Sequence, residues 1–411
     1  MIDLVKLRNA PTEIIQALRK KDPSFDIDNL VELDKQHRTL TAEVETLRAQ
    51  KNELADKAKS GVTDEIREQS KEIGKALKAK TEELEKTIED FNHLYLRCPN
   101  VPTNDIPVGG KEANKVVKTV GKKPTFDFEV KNHVDLGRAL DWFDFEAAAT
   151  MTGSQFVLYK NDAVKLIYSL MMFMVSNNIK HGFSPILPPY LVNEKSLEIA
   201  SNFPKFKDDV YSVPADGLYL TPTSEVNLTN IYRNTILTAD ELPKRMTAWT
   251  SCFRREAGGY GAQERGLIRI HQFEKAELYT ICEPSQSNAE LDRMLVCAED
   301  ILQQLGLHYQ ISLLATQDMS FPSAKTFDIE VWMPGQQRYY EVSSASNCTD
   351  FQARRGAIRF KTSQNDKSQF VNTLNASSLA LPRLMVALME TYQQPDGSIL
   401  IPDVLKKFGL V

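Results

Sequence analysis

Two neighbouring stretches of the chain carry residue types that could hold a nucleotide. The first is Cys252-Phe253-Arg254-Arg255-Glu256-Ala257-Gly258; the second runs from Arg265 to Glu277 and contains Arg269, His271, Phe273, Lys275 and Glu277 at alternate positions. Side chains of a strand alternate with period two. The spacing therefore predicts Arg269, His271, Phe273, Lys275 and Glu277 on one face of a second strand, and Arg254 with Glu256 on one face of a first. A cation can hold a phosphate, a flat ring can stack on a base, and a carboxylate can accept from an amine or a hydroxyl. An amphipathic edge strand with a solvated charged face explains one such strand. It does not explain two joined by a glycine-bearing loop. No GxxxxGK[ST] and no GxGxxG opening a helix occurs, so a nucleotide here must be held by a sheet surface.

Three other segments carry candidate chemistry. Thr221-Pro222-Thr223-Ser224-Glu225 follows the strand-like Gly217-Leu218-Tyr219-Leu220. As a bare string it reads as a helix N-cap with a capping carboxylate. Tyr340 to Arg355 includes Glu341, Val342, Ser343 and Ser344, with Glu341 and Ser343 expected to face one way on a strand and Ser344 to follow. Hard oxygen ligands of this kind suit Mg²⁺. Leu374 to Arg383 includes Asn375, Ser377 and Pro382, and precedes an apolar helix from Leu384 to Met389. Pro382 fits its first position.

These segments together resemble the class II aminoacyl-tRNA synthetases, and their wording is similar to that of the bacterial-type seryl branch. Cys252 to Glu277 resembles motif 2, Leu374 to Arg383 motif 3, and Asn177 to Val192 (with His181-Gly182-Phe183 and Pro188-Pro189) motif 1. The HIGH and KMSKS signatures of class I synthetases are missing. The resemblance implies ATP, L-serine and tRNA(Ser) as substrates, tRNA(Sec) as a further acceptor, Mg²⁺ with the ATP, a homodimer built on motif 1, and no membrane.

It also implies roles for individual residues. Arg254 holds the α-phosphate, Glu256 accepts from the adenine amino group, Phe273 stacks on adenine, and Arg269 and Arg383 bind phosphates. Arg255, Val342, Ser343 and Ser344 join the ATP site, with Glu341 and Ser344 as metal ligands. Arg254, Arg269, Glu341 and Arg383 form the catalytic group. Thr223, Ser224 and Glu225 receive the serine ammonium, Glu277 the serine hydroxyl, and Asn375, Ser377 and Arg254 complete the serine pocket. His271 is structural, since the attacking carboxylate is already ionised at neutral pH. The chain departs from the family pattern at Ala376, Ser378 and Pro382, where glycine is usual, and at Arg255, where serine is common. The loop Gly259 to Arg265 varies in the family.

What positions these groups is an α+β fold in two parts. Within 411 residues, Leu33, Leu40, Leu47 and Leu54 repeat at seven, with Val44 between them. After a break at Lys59 to Asp64, Ile66, Ile73, Leu77, Leu84, Ile88 and Phe91 form a second series. Such heptads predict a coiled coil, here an antiparallel hairpin reaching about 40 Å, with Asp64 as the second N-cap. Heptads alone are equally those of a dimerising coiled coil. Residues 30–97 hold 13 Lys/Arg against 15 Asp/Glu, so charge does not decide. Lys71, Lys75 and Lys78 share a helical face, and Lys51, Lys57 and Lys59 lie near the turn. The resemblance makes this arm, residues 1–105, the tRNA-binding domain and assigns Lys51, Lys57, Lys71, Lys75 and Lys78 weakly to the RNA. Residues 106–411 are the catalytic domain, an antiparallel sheet flanked by helices.

Bulk properties agree. The net charge of −5 argues against indiscriminate nucleic-acid binding. The five cysteines form no CxxC pair, and free thiols fit a reducing cytoplasm. The apolar run Leu170 to Met174 reads as a core helix, with no leader or membrane span expected. Two rival readings remain, a ligase that loads an amino acid onto a carrier protein and an inactive RNA-binding paralogue. The arm speaks against the first, and Arg254, Glu256, Glu341 and Arg383 against the second.

Overall fold

The computed structural model describes residues 1–257 and 266–410; Gly258 and the loop Gly259 to Arg265 lie outside them. The chain forms two compact units, Ala10–Cys98 and Met1–Asn9 with Pro99–Val411.

The smaller unit contains the expected hairpin, α1 (Ile27–Ala58) and α2 (Asp64–Tyr95), of 32 residues each. At 1.5 Å per residue each helix spans about 48 Å, longer than the heptads suggested. Leu30, Leu40, Val44 and Leu54 of α1 and Phe91 of α2 are buried, with Phe91 against the rings of His37 and Tyr95. The cap of α2 is Thr63, not Asp64. Its hydroxyl accepts from the Ile66 N–H at 3.2 Å, and Asp64 becomes the first helical residue, where its charge favours the helix dipole. Lys51, Lys57, Lys71, Lys75 and Lys78 are all exposed. Three of them meet a glutamate of their own helix: Lys57 with Glu53 at 2.8 Å, Lys71 with Glu68 at 3.8 Å and Lys78 with Glu82 at 3.9 Å.

The larger unit is built on one sheet. Its strands are β1 (Lys115–Val120), β2 (Ser184–Ile186), β3 (Lys244–Phe253), β4 (Gln272–Cys282), β5 (Tyr309–Leu313), β6 (Lys325–Met333), β7 (Arg338–Asn347) and β8 (Asn372–Ala380). They lie in the order β1-β5-β6-β7-β8-β4-β3-β2. All neighbours are antiparallel except the edge strand β2, which runs parallel to β3. The helices α3 (Asp162–Lys180), α5 (Ser287–Gln304) and α7 (Leu381–Tyr392) pack on one face, with α4 (Ser224–Asn230) and α6 (Phe351–Gly356) on the other. The core lies under α3, α5 and α7, and includes Leu170, Met171, Phe173 and Met174. No helix among the described residues is long and apolar enough to cross a membrane. All five cysteines are free and buried.

Two irregularities decide which side chains reach the functional face. The β6–β7 register shifts between Ile329 and Glu330, so Val342 is an extra residue on β7. A bulge of this kind re-aims the side chains beyond it. Glu341 opposes Glu330 and Ser344 opposes Asp328, which puts these four on one face. Ser343 opposes Ile329 on the core side, contrary to the expected pairing of Ser343 with Glu341. The β4–β8 register shifts at Ala276/Glu277, where Ser378 is the extra residue. Leu379 beside it has φ 132°, a region L-residues rarely occupy.

The departures from glycine are accommodated here. Ala376 is fully buried against Leu278 and Ala345 in the sheet. The Ser378 hydroxyl donates to Asn178 Oδ1 of α3 at 2.6 Å. Pro382 is the second residue of α7 rather than the first, still within the turn whose N–H groups lack intrahelical partners.

Candidate active site

One face of β4 carries Phe273, Lys275 and Glu277, as the alternation predicted, and continues to Tyr279. Arg269 does not lie on this strand, which begins at Gln272. It follows the short 3-10 turn Gly266–Ile268 and reaches back to form an ion pair with Glu256. Arg254 follows the end of β3. Its Nε donates to Pro222 O at 3.2 Å, and its guanidinium lies 5.3 Å from the centre of the Phe273 ring. His271 Nδ1 lies 2.9 Å from Arg254 O. That carbonyl can only accept, so Nδ1 carries the proton and the ring holds the Arg254 backbone. Arg383, in the first turn of α7, donates from NH1 to Glu341 O at 2.8 Å and from Nε to Ile268 O at 3.2 Å.

Arg254, Arg269, Phe273, Lys275, Glu341 and Arg383 line one cleft, whose wall also includes Glu256, Val342, Ser377 and Pro382. Arg255 is outside the wall; it is exposed, and its N–H donates to Asp209 O at 2.8 Å.

A buried polar cluster adjoins the cleft at Lys275. The Thr223 hydroxyl donates to Glu277 Oε2 at 3.0 Å and accepts from Lys275 Nζ at 2.7 Å. Lys275 and Glu277 are themselves an ion pair, each almost wholly buried. Such a pair holds two charges in a dry site only because each neutralises the other. Lys275 was on the predicted face, but its type and spacing gave it no role. Glu225 Oε1 accepts from Asn375 Nδ2 at 3.0 Å and from Gln352 Nε2 at 2.6 Å. Burial, with the nearby Glu277 charge adding to it, pushes the Glu225 pKa up to about 7 against Gln352, Lys275 and Arg254, which lower it. The Ser224 hydroxyl is engaged with Thr250 Oγ1 at 2.6 Å. The Ser343 hydroxyl donates to Ser377 O at 2.5 Å.

On the phosphate side of the cleft, Glu341 and Ser344 share their face with Asp328. Burial holds the Asp328 pKa well above the usual carboxylate range, with Glu341 adding to the shift and a hydrogen bond from Ser344 opposing it. Asp328 Oδ1 is buried without a hydrogen-bond partner among the described residues. An orphaned carboxylate oxygen beside Glu341 and Ser344 fits a hard cation. Among the described residues no group of three His, Cys, Asp or Glu forms a cage of its own. The bulge that groups Asp328 with Glu341 has no signature in the sequence.

The return of the chain into β4 is anchored at Gly266. Its φ is +69°, and a Cβ there would meet His133 Nε2 at 2.3 Å. His133 Nε2 accepts from the Leu267 N–H at 3.2 Å, while Nδ1 lies 3.1 Å from Glu390 Oε1. Gly266→Ala is therefore expected to cost about 1–3 kcal/mol of stability and to raise KM for ATP, because Ile268 and Arg269 move with it. Thermal unfolding and kinetics at varied ATP check both effects.

Comparison with known proteins places this geometry in a family. Residues 1–102 match the model of the seryl-tRNA synthetase N-terminal domain, and residues 207–392 that of the class II tRNA synthetase core domain (G, H, P, S and T). A serine--tRNA ligase of Syntrophobacter fumaroxidans is 44% identical, over 99% of this chain and 98% of its own. The crystal structure of seryl-tRNA synthetase from Pyrococcus horikoshii complexed with ATP aligns with a TM-score of 0.92 at 33% identity, covering 99% of this chain and 98% of that one. A cytoplasmic serine-tRNA ligase from Naegleria fowleri in complex with AMP aligns with a TM-score of 0.85 at 25% identity, over 98% and 95% of the two chains.

Proposed function

The chain belongs to the seryl-tRNA synthetases of class II, and we propose that it activates L-serine with ATP and transfers it to tRNA(Ser). The observation that carries this reading is the position of Lys275: it lines the cleft with Arg254, Phe273 and Arg383, and its Nζ donates to Thr223, which is bonded to Glu277. In the first step the serine carboxylate attacks the α-phosphorus of ATP, the bond to the bridging oxygen breaks, and pyrophosphate leaves. In the second, a hydroxyl of the terminal tRNA adenosine attacks the acyl carbon and AMP leaves.

The first step requires little proton transfer from the protein, because the attacking carboxylate is already ionised at neutral pH. Positioning and charge stabilisation by this chain's residues carry the acceleration. Arg254 holds the α-phosphate, Arg269 and Arg383 the other phosphates, Phe273 and Glu256 the adenine. Val342 and Ser344 complete the nucleotide site; the Arg255 side chain lies outside the cleft wall and the Ser343 hydroxyl is taken by Ser377 O, so these two join it only through their backbone. Glu225 and Thr223, set by Ser224, take the serine ammonium, Glu277 takes its hydroxyl, and Asn375 and Ser377 close the pocket. Glu341 and Ser344 would hold Mg²⁺, which supplies positive charge to the ATP phosphates. The hairpin, with Lys51, Lys57, Lys71, Lys75 and Lys78, binds the tRNA. A homodimer is supported by exposed apolar residues along α3 and beyond it, Tyr168, Met172, Ile179 and Leu187, beside the edge strand β2. Buried free thiols support a cytoplasmic location.

ATP–pyrophosphate exchange with each of the twenty amino acids tests the reading. Serine is expected to support exchange, and threonine or alanine very little. Exchange with none would remove the catalytic reading. Charging of separate tRNA(Ser) and tRNA(Sec) transcripts tests the acceptors.

A pH dependence follows from Glu225. Only its ionised form attracts the substrate ammonium, and its pKa is pushed up to about 7. Below that pH the protonated form dominates, so kcat/KM for serine is expected to fall roughly tenfold per pH unit and to level off above it. KM for ATP should not follow this curve.

A further inference from the structure

Gln352 lies behind Glu225, bonded to its carboxylate. It is fully buried on α6, and every hydrogen-bonding position of its amide is filled. Its nitrogen donates to Glu225 Oε1 at 2.6 Å and to Ala200 O at 3.1 Å. Its oxygen accepts from Thr373 Oγ1 at 2.7 Å and from Tyr279 OH at 3.1 Å. The amide cannot be turned over. A flipped carbonyl would face Ala200 O and a carboxylate, both of which only accept.

The consequence falls on Glu225. Asn375 Nδ2 also donates to Oε1, at 3.0 Å, so two amides saturate that oxygen. Oε2 makes no hydrogen bond among the described residues and is the oxygen left for a ligand. Thr373 and Tyr279 are buried on β8 and β4, so the sheet itself fixes the direction of the Gln352 donor.

We propose that Gln352 is a positioning residue for amino-acid recognition: anchored by Thr373, Tyr279 and Ala200 O, it holds Glu225 so that Oε2 faces the substrate ammonium. This rests on the serine-activating reading above. The charged groups around Glu225 are Glu277 and Lys275 on β4 and Arg254 beyond β3, and Gln352 and Asn375 are its neutral donors. Glu277 disfavours the ionised form, while Lys275, Arg254 and the Gln352 donor favour it. Losing the Gln352 donor therefore moves the Glu225 titration upward and leaves less of the binding form at neutral pH.

The test is ATP–pyrophosphate exchange by the full-length parent, Gln352→Met and Tyr279→Phe, at varied serine and ATP, from pH 6 to 9. For Gln352→Met, KM for serine at pH 7 is expected to rise roughly tenfold, the scale of one charge-assisted hydrogen bond. KM for ATP should stay fixed, the acid limb of kcat/KM for serine should move up by about one pH unit, and the defect should shrink towards pH 9. Tyr279→Phe removes one oxygen and keeps the packing; it should shift the same limb in the same direction by a smaller amount. A defect equal at every pH, or one that affects ATP and serine alike, would overturn the proposal, as would an unchanged acid limb in Tyr279→Phe should Gln352→Met not fold. A parent that exchanges with no amino acid would instead overturn the functional reading on which this one rests.

Discussion

Shortening the helical arm is expected to abolish tRNA charging while leaving serine activation intact. Lys80 Nζ lies 2.9 Å from Glu43 Oε2 across the hairpin, so the two helices can be rejoined there. Replacing residues 44–79 by a short Gly-Ser turn removes Val44, Leu54, Ile73 and Leu77 together and leaves no one-sided apolar seam. The base of the hairpin keeps Leu40, His37 and Phe91. The residues of the cleft all belong to the other unit, so serine-dependent pyrophosphate exchange should match the parent. Charging of tRNA(Ser) should fall about 100-fold or more, the equivalent of ~2.7 kcal/mol of lost binding. Aminoacylation of a tRNA(Ser) transcript at subsaturating concentration measures it. Unchanged charging would exclude the arm from tRNA binding.

Glu277→Ala should sharply lower serine activation and also weaken the fold, for separable reasons. Glu277 is the buried partner of Lys275 and accepts from Thr223. Removing it leaves an ammonium group buried and unpaired, which costs about 3–5 kcal/mol. The lost hydrogen bond to the substrate hydroxyl should lower kcat/KM for serine by about 30- to 150-fold, the scale of a bond to a charged group. The double change Lys275→Met with Glu277→Leu separates the two effects. It replaces the pair by apolar residues of similar volume, which proteins often tolerate. Stability should return towards that of the parent, measured by thermal unfolding, while serine-dependent exchange stays lost. If the double variant regained exchange, Glu277 would be a structural partner of Lys275 and no more.

The face of β4 was legible because strand alternation is local: Phe273, Lys275 and Glu277 lie two residues apart and must point the same way. The hairpin was legible for a similar reason, since heptads need only neighbouring turns of one helix. Its cap was misread by one place, because Thr63 and Asp64 both carry oxygens suited to capping and only the backbone geometry separates them. Arg269 was misplaced because alternation does not reveal where a strand begins.

The wording of the chain from Thr221 to Arg383 was sufficient to suggest the family and the composition of its site, because residue types suited to phosphate, ring and ammonium are themselves chemically distinctive. The tertiary structure decided how they meet. The extra residue Val342 turns Ser343 away and brings Ser344 and Asp328 to Glu341, and that depends on the register of β6, which β7 alone does not encode. Gln352 reaches Glu225 across 127 positions of sequence because α6 and α4 lie on the same face of one sheet. A period can be read along a single segment, but a bulge or a buried amide gains its meaning only from the partner strand or helix set against it.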